Sequence, residues 1–195
     1  MEFYSGGYNQ GIYQFTSDGK NKTKIIDVQS TVYGGLTIAV WKGKKHLYFA
    51  ARVEETTLSD GSKIGKGTAI RRANLDGSGI TDLVAPNAGI SGTVSRITVD
   101  DDMGYIYWET SYNTALLRAP IDLNPNEPYH NRSDIQVLSR DGHSAMKLVN
   151  GSLYWSSSGF YEKNATKNEP YYFNSIWRWK VRYENVTLGD MDREK

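Results

Sequence analysis

The sequence offers few side chains whose type and spacing could perform catalysis. Its three histidines, His46, His130 and His143, lie far apart, and none has a second histidine or a carboxylate at a spacing typical of a zinc site. The chain has no cysteine, which excludes disulfides, zinc–thiolate sites and cysteine nucleophiles. It also has no nucleophile elbow, phosphate-binding loop or dinucleotide fingerprint. The residues therefore predict no catalytic centre, no metal site and no cofactor.

One acidic run, Asp100-Asp101-Asp102, carries the hard oxygen ligands that calcium prefers. Its spacing differs from that of an EF-hand loop. Aspartate is also a preferred residue of tight turns, and Gly104 follows closely. We therefore interpret the run as a turn between two strands.

The chain carries several acceptor motifs for N-linked glycans. Five of its asparagines stand in Asn-x-Ser/Thr sequons: Asn21, Asn131, Asn150, Asn164 and Asn185. This number exceeds the chance expectation and predicts a glycosylated, secreted protein. The alternative is that a β-protein rich in serine and threonine contains such triplets by coincidence.

Aromatic side chains are concentrated in the segment 158–174, which the sequence predicts to be a loop. They are Phe160, Tyr161, Tyr171, Tyr172 and Phe173. Exposed aromatic side chains are typical anchors of protein–protein interfaces. The segment is therefore a candidate site for a protein partner, although some of these rings could instead pack against the adjacent strands.

The elements that position these residues repeat along the chain. The hairpin in "IRRANLDGSGITDLV" (70–84) recurs around "IYQFTSDG", "LLRAPIDL" and "IWRWKVRY". Each copy follows an aromatic pair, and three of these pairs follow a further apolar strand. The aromatic pairs are Phe3-Tyr4, Tyr48-Phe49, Tyr107-Trp108 and Tyr154-Trp155. The predicted repeats span approximately residues 1–30, 31–88, 89–139 and 140–190.

Each repeat reads as four short strands, which we call A, B, C and D, and the first repeat lacks strand A. The pattern predicts an all-β protein: a β-propeller of four-stranded antiparallel blades, with about four blades in one domain over residues 1–195. We expect the aromatic pairs to pack between blades, because a blade cannot bury both of its faces alone.

Propeller geometry separates the predicted sites into two ends. The A–B turns and C–D loops emerge at one end, where Asn21, Asn131, Asn150 and Asn185 would lie. The B–C and D–A loops emerge at the other end, which includes two long predicted loops, 52–68 and 158–174. The second end would be nearly free of glycans, with the exception of Asn164, and we expect it to receive a protein partner.

The residues that follow the pattern most closely, "IRRANLDGSGITDLV" and "RITVDDDMGYIYWET", resemble the YWTD propeller, the class B repeat of low-density lipoprotein receptors and nidogen. The C-strand arginine of that repeat is matched by Arg72, Arg118 and Arg178, and is replaced by Gln14. The motif's aspartate falls on Gly6, Ala51, Thr110 and Ser157, so this chain is a divergent example.

The resemblance implies a six-bladed propeller and a non-enzymatic extracellular protein-binding module. We therefore expect this chain to be part of a longer propeller. Two alternatives are a ring that a second chain completes and a closed four-bladed ring. Two alternative functions are a calcium-dependent lactonase or esterase on a propeller scaffold, and a structural assembly protein.

Charge and hydropathy limit the classes of partner and the cellular location that we expect. The chain carries 23 basic and 22 acidic residues, so it lacks the strongly basic character that a nucleic-acid partner requires. No apolar run approaches the roughly 20 residues that span a bilayer. We expect a secreted protein or the ectodomain of a membrane protein, with protein partners, N-linked glycans and no nucleic acid.

Overall fold

A computed structural model describes most of the chain as antiparallel β-sheet. The described residues are 2–7, 11–28, 35–57, 61, 63–64, 66–85, 94–110, 115–125, 129–130, 134–139, 143–161 and 171–180. All regular elements among them are strands. None of these residues belongs to an apolar helix long enough to cross a membrane.

The strands form four successive sheets, numbered here in chain order. Sheet 1 contains β1 (Glu2–Gly7), β2 (Gly11–Thr16) and β3 (Lys22–Ile26). Sheet 2 contains β4 (Leu36–Trp41), β5 (Lys44–Val53), β8 (Gly67–Asn74) and β9 (Thr81–Val84), with a ribbon of β6 (Thr56–Thr57) and β7 (Lys63–Ile64) between β5 and β8. Sheet 3 contains β10 (Val94–Asp100), β11 (Tyr105–Thr110), β12 (Leu116–Pro120) and β13 (Gln136–Ser139). Sheet 4 contains β14 (His143–Val149), β15 (Ser152–Tyr161) and β16 (Tyr171–Lys180).

Neighbouring strands in each sheet are consecutive in the chain, apart from the β6–β7 ribbon. This order matches the predicted A-B-C-D repeat and confirms the all-β, four-stranded antiparallel architecture. Sheet 1 consists of strands B, C and D, as the sequence predicts. The predicted last D strand, after residue 180, lies outside the described residues.

The register of the B and C strands repeats between sheets. In sheets 2, 3 and 4, the tyrosine of each aromatic pair lies directly opposite the arginine of the C strand. The pairs are Tyr48↔Arg72, Tyr107↔Arg118 and Tyr154↔Arg178. In sheet 1 the residue opposite Gln14 is Tyr4 rather than Phe3. The alignment of the first aromatic pair with the other repeats is therefore wrong by one residue.

A second feature also repeats between sheets. The C–D pairing shifts register once in each of sheets 1, 2 and 3, directly after Ile12, Ile70 and Leu116, respectively. These three residues occupy the same position of the repeat. A bulge of this kind bends and twists a strand locally. The outer strand of each of these three sheets is therefore bent at an equivalent place.

The core lies between the sheets, in three apolar clusters. One joins sheets 1 and 2, the second joins sheets 2 and 3, and the third joins sheets 3 and 4. The aromatic pairs of sheets 2 and 3 each contribute to two clusters. Tyr48 packs towards sheet 3 and Phe49 towards sheet 1, whereas Tyr107 packs towards sheet 4 and Trp108 towards sheet 2. Adjacent strand residues point to opposite faces, so one dipeptide anchors a sheet to both neighbours. The predicted role of these aromatics in packing is confirmed.

The C–D turns of sheets 1 and 2 use the same aspartate and glycine chemistry. The Asp76 carboxylate accepts hydrogen bonds from the backbone N–H and hydroxyl of Ser78. The Asp18 carboxylate accepts equivalent bonds from the Lys20 N–H and the Thr16 hydroxyl. These bonds hold the pKa of both carboxyl groups below its ordinary value, the side-chain hydroxyl being the largest cause. The glycine after each aspartate has a positive φ, which glycine adopts without strain.

Gly77 also lies against the preceding sheet. A Cβ atom at this position would lie 2.0 Å from the carbonyl oxygen of Ile25 in β3. Gly19 is the equivalent residue of sheet 1, before which no other sheet is described, and a Cβ there would meet no atom within 4 Å. The two glycines therefore share a backbone conformation and differ in the space around them.

We expect Gly77→Ala to destabilise the protein more than Gly19→Ala. Both changes place a side chain in the left-handed region, at a cost of about 1–2 kcal/mol. Only Gly77→Ala also forces sheets 1 and 2 apart, which adds about 1–3 kcal/mol. The free energies of unfolding, measured by urea denaturation of both variants, check this. Equal losses for the two variants would contradict the contact between these sheets.

Candidate interaction surfaces

The two ends of the sheets differ in construction. We call the end that carries the A–B and C–D turns the turn end, and the opposite end, which carries the B–C connections, the hairpin end. Trp41 at the end of β4 packs over Gly104 in the β10–β11 turn. Its indole N–H donates a hydrogen bond of 3.0 Å to Asp122, which follows β12, and Lys42 lies 2.8 Å from the same carboxylate. This Trp41 clasp joins sheets 2 and 3 at the turn end.

Two predicted glycosylation sites lie in turns of the described structure. Asn21 is exposed directly before β3, in the C–D turn of sheet 1. Asn150 is exposed in the A–B turn of sheet 4, where a φ of 48° followed by Gly151 at 66° fits a type I′ hairpin. Both asparagines therefore lie at the turn end, as predicted. The sequons at Asn131, Asn164 and Asn185 lie outside the described residues.

The acidic run 100–102 forms the A–B turn of sheet 3. Asp100 is buried, and one of its carboxylate oxygens accepts a hydrogen bond from the Met103 N–H. The Gly104 N–H donates to the Asp100 carbonyl oxygen and closes the turn. Asp101 and Asp102 are exposed. The interpretation of this run as a turn is confirmed.

At the hairpin end, most of the described residues in the two predicted long loops lie on strands, which corrects both predictions. In sheet 2, the B strand runs to Val53 and pairs with Gly67. Beyond this pair, the β6–β7 ribbon extends the hairpin. Ion pairs of Lys63 with Glu55 and of Lys66 with Glu54 support the ribbon. The segment 52–68 is therefore a two-stranded projection with a short connection.

The predicted loop 158–174 in sheet 4 needs a larger correction than the loop in sheet 2. Strands β15 and β16 pair without a break from Ser152↔Lys180 to Tyr161↔Tyr171. The five aromatics predicted to lie in a loop are thus on strands, and Phe160 lies opposite Tyr172 and Gly159 opposite Phe173. In the described residues, strand β14 pairs with β15 as far as Ser157. The outer part of this hairpin, which holds all five candidate partner-binding residues, therefore extends beyond the last described pair of β14 and β15.

Sheet 3 is shorter at the same end. Its B strand ends at Thr110, where the Thr110 N–H donates to the Ala115 carbonyl oxygen and the Ala115 N–H to the Thr110 hydroxyl. Because the apolar clusters place sheet 3 between sheets 2 and 4, a short sheet is flanked by two long hairpins. At the hairpin end, the B–C hairpins of sheets 2 and 4 therefore extend farther along the strand direction than the B–C hairpin of sheet 3.

A buried ion pair lies at the hairpin end of sheet 3, and sequence reasoning missed it. Glu109 is almost fully buried, and its Oε2 lies 3.0 Å from Nη1 of Arg96 and accepts a 3.2 Å hydrogen bond from the Ser95 hydroxyl. Its Oε1 is buried and has no hydrogen-bond partner. The Arg96 side chain is 43% exposed. Arg96 and Glu109 are directly opposite in the β10–β11 ladder, and Ser95 is the extra residue of a bulge.

The described residues contain no group of three histidine, cysteine or acidic side chains that could hold a metal ion. His46 and His143 lie on strands β5 and β14. His130 is buried in the connection between β12 and β13, with Nδ1 3.3 Å from the Asp134 carboxylate. The backbone N–H of His130 donates to the Leu83 carbonyl oxygen and attaches this connection to sheet 2. The burial and contacts of His130 therefore give it a structural position.

Comparison with known proteins identifies the fold. No protein-family profile matches the sequence, and no curated protein matches it significantly. Among solved structures, a chain of "Crystal structure of Nidogen/Laminin Complex" is similar, with a TM-score of 0.55 and 17% sequence identity, over 96% of this chain and 64% of that chain. That structural neighbour is a β-propeller. The chain has a β-propeller fold. It spans about two thirds of the length of this neighbour, consistent with a partial propeller.

We expect the Trp41 clasp to contribute stability above about pH 4 and to lose it in acid. Lys42 foremost, and then Trp41, lower the pKa of Asp122 below its ordinary 3.8. A depressed folded-state pKa stabilises the protein above the unfolded pKa, and this contribution disappears as pH falls through the folded pKa. Because the Asp122 side chain is 52% exposed, Asp122→Asn should cost only about 0.2–1 kcal/mol at pH 7.

The measurement is urea denaturation of the wild-type protein and of Asp122→Asn at pH 7 and at the lowest pH where both remain folded. The difference between them should shrink as pH falls. Asp101→Asn, in an exposed turn of the same end, serves as the control and should show no such trend. A difference that is constant with pH would rule out an ionised Asp122 as the stabilising group.

Proposed function

We propose that this chain is a non-enzymatic protein-binding module of an extracellular, receptor-type or matrix-type glycoprotein, and that its hairpin end receives the partner. The observation that carries the proposal is the unequal height of that end. Two projecting hairpins flank a shorter sheet, and five aromatic residues lie on the sheet 4 projection. Aromatic residues on projecting elements of a rigid scaffold are typical of binding surfaces.

The distribution of glycan acceptors supports the same orientation. Asn21 and Asn150 are exposed at the turn end, and the structural neighbour comes from a complex of nidogen with laminin. A module with glycans at one end keeps the opposite end accessible to a protein. The resemblance to YWTD propellers also supports an extracellular location and a role in protein binding rather than catalysis.

A second candidate, a structural assembly role, rests on the outer face of sheet 1. Tyr13 and Phe15 lie on the face away from Ile12, which packs into the cluster with sheet 2. Lys22 lies 4.1 Å from the centroid of the Tyr13 ring and covers part of this face. The face occupies the position that contacts a preceding sheet in sheets 2 and 3. A second chain could therefore pack there and extend the propeller.

The first experiment maps a partner by lysine-specific cross-linking. The secreted protein would be incubated with extracellular-matrix extract, cross-linked and analysed by mass spectrometry. We expect partner cross-links at Lys63 and Lys66, which lie in the sheet 2 projection, and few at Lys42, which lies at the turn end. Cross-links concentrated at Lys42 would place the partner at the wrong end. Cross-links between copies at Lys22 would favour the assembly role instead.

The second experiment tests the glycans directly. The chain would be expressed through the secretory pathway of cultured animal cells, and its mass compared before and after enzymatic removal of N-glycans. We expect Asn21→Gln and Asn150→Asp each to remove one glycan; aspartate retains a side chain that tolerates the left-handed conformation of position 150. Secreted protein with no glycan at either position would remove this support for an accessible hairpin end.

A further inference from the structure

We propose that Arg96 is an anchor for an acidic side chain of the protein partner and that Glu109 is the residue that positions it. The inference rests on the proposed function, because it assigns a chemistry to the centre of the hairpin end. It begins from the buried carboxylate of Glu109, one oxygen of which has no hydrogen-bond partner in the described structure.

The repeat shows that the ion pair is not needed for packing. The register gives the equivalents of Glu109 as Ala50 in sheet 2 and Ser156 in sheet 4. It gives the equivalents of Arg96 as Gly35 and Ala145, and Gly35 accepts the Ala50 N–H hydrogen bond. Small residues therefore suffice at both positions in the neighbouring sheets. Burying a carboxylate with an unsatisfied oxygen is costly, and apolar replacements are often as stable or more stable.

The pair instead fixes the orientation of a partly exposed guanidinium. One carboxylate oxygen of Glu109 accepts hydrogen bonds from the Ser95 hydroxyl and from a single nitrogen of Arg96, Nη1. Guanidinium has five N–H donors in a rigid fork, and the described residues accept from Arg96 only at Glu109. Because 43% of the side chain is exposed, a ligand in solution can reach the guanidinium.

The position of Arg96 in the sheet lets a bound partner reach its guanidinium. Arg96 lies one ladder position from the end of sheet 3, which is shorter at this end than sheets 2 and 4 and lies between their projections. The Thr110–Ala115 hydrogen bonds close the adjacent connection and fix the strand that carries Glu109. A partner side chain that enters between the projections therefore meets a pre-oriented guanidinium.

The chemistry that best matches an oriented guanidinium is a carboxylate. The planar fork donates two parallel hydrogen bonds to the two oxygens of one carboxylate, which a lysine ammonium cannot do. The expected ligand group is thus an aspartate or glutamate side chain of the partner. An inorganic anion and a neutral amide are the two alternatives that the experiment separates.

The test is NMR titration of the whole chain labelled with ¹⁵N-arginine, with the Arg96 Nε–H signal assigned from Arg96→Lys. The probes are N-acetyl-Gly-Asp-Gly-amide, the same peptide with asparagine, and inorganic sulfate. We expect the aspartate peptide to shift this signal saturably, with a dissociation constant of about 1–10 mM, typical of one charged contact. The asparagine peptide should bind at least fivefold more weakly.

Three variants test whether peptide binding depends on the Arg96 guanidinium or only on positive charge. Arg96→Lys, which keeps the charge and loses the fork, should abolish the preference for the aspartate peptide in a competition assay. Arg71→Lys alters a comparable cross-strand ion pair with Asp82 in sheet 2 and should leave binding unchanged. Glu109→Gln should lower the heteronuclear NOE of the Arg96 Nε–H and weaken binding severalfold, in a protein that remains folded.

The outcomes distinguish this inference from the proposed function. Equal binding of the two peptides, sulfate binding alone, or an unchanged NOE in Glu109→Gln would overturn the anchor. Cross-links at Lys63 and Lys66 would then still support the hairpin end as the docking surface. Aspartate binding at Arg96 together with cross-links only at the turn end would support a carboxylate-binding site at Arg96, but it would overturn the proposed function and with it the assignment of this site to the protein partner.

Discussion

The fold depends on the aromatic pairs that pack each sheet against both of its neighbours. A single four-stranded sheet exposes two apolar faces, and it becomes stable only when each face is covered. Tyr48 and Phe49 lie next to each other in β5, yet they belong to different apolar clusters, and Tyr107 and Trp108 repeat this arrangement in β11. Trp155 continues it towards sheet 3. The succession of sheets therefore follows from a dipeptide placed once in each repeat.

This constraint explains why the fold was predictable from the sequence. The aromatic pair, the arginine of the C strand and the Asp-Gly turn recur at regular offsets, and each has one structural role. The register of Tyr48 with Arg72 and of Tyr107 with Arg118 follows from those offsets. The first repeat was misaligned by one residue because Phe3 and Tyr4 are both aromatic, so residue type alone does not distinguish their faces.

The candidate site was less predictable. The segment 158–174 was expected to be a loop because it departs from the repeat, but strand pairing continues through Tyr161 and Tyr171. Aromatic residues that lie opposite each other on paired strands favour a sheet, and the length of the segment alone does not reveal such pairs. The Arg96–Glu109 pair required the ladder register and the bulge at Ser95, neither of which the sequence specifies. The sequence signal of this ion pair was Glu109, which follows Trp108 at the position where the YWTD motif has threonine.

The contacts between sheets at the turn end explain how the hairpin end could diverge. At the hairpin end, the equivalent positions Ala51 in sheet 2 and Thr110 in sheet 3 carry no charged side chain. At the turn end, Gly77 contacts Ile25, and Trp41 joins Gly104 and Asp122. These contacts restrict the turns, because a larger residue at either glycine would collide with the neighbouring sheet. The B–C hairpins carry no comparable contact in the described residues. Their length and composition could therefore change without cost to the packing of the sheets, which is the property that a binding surface requires.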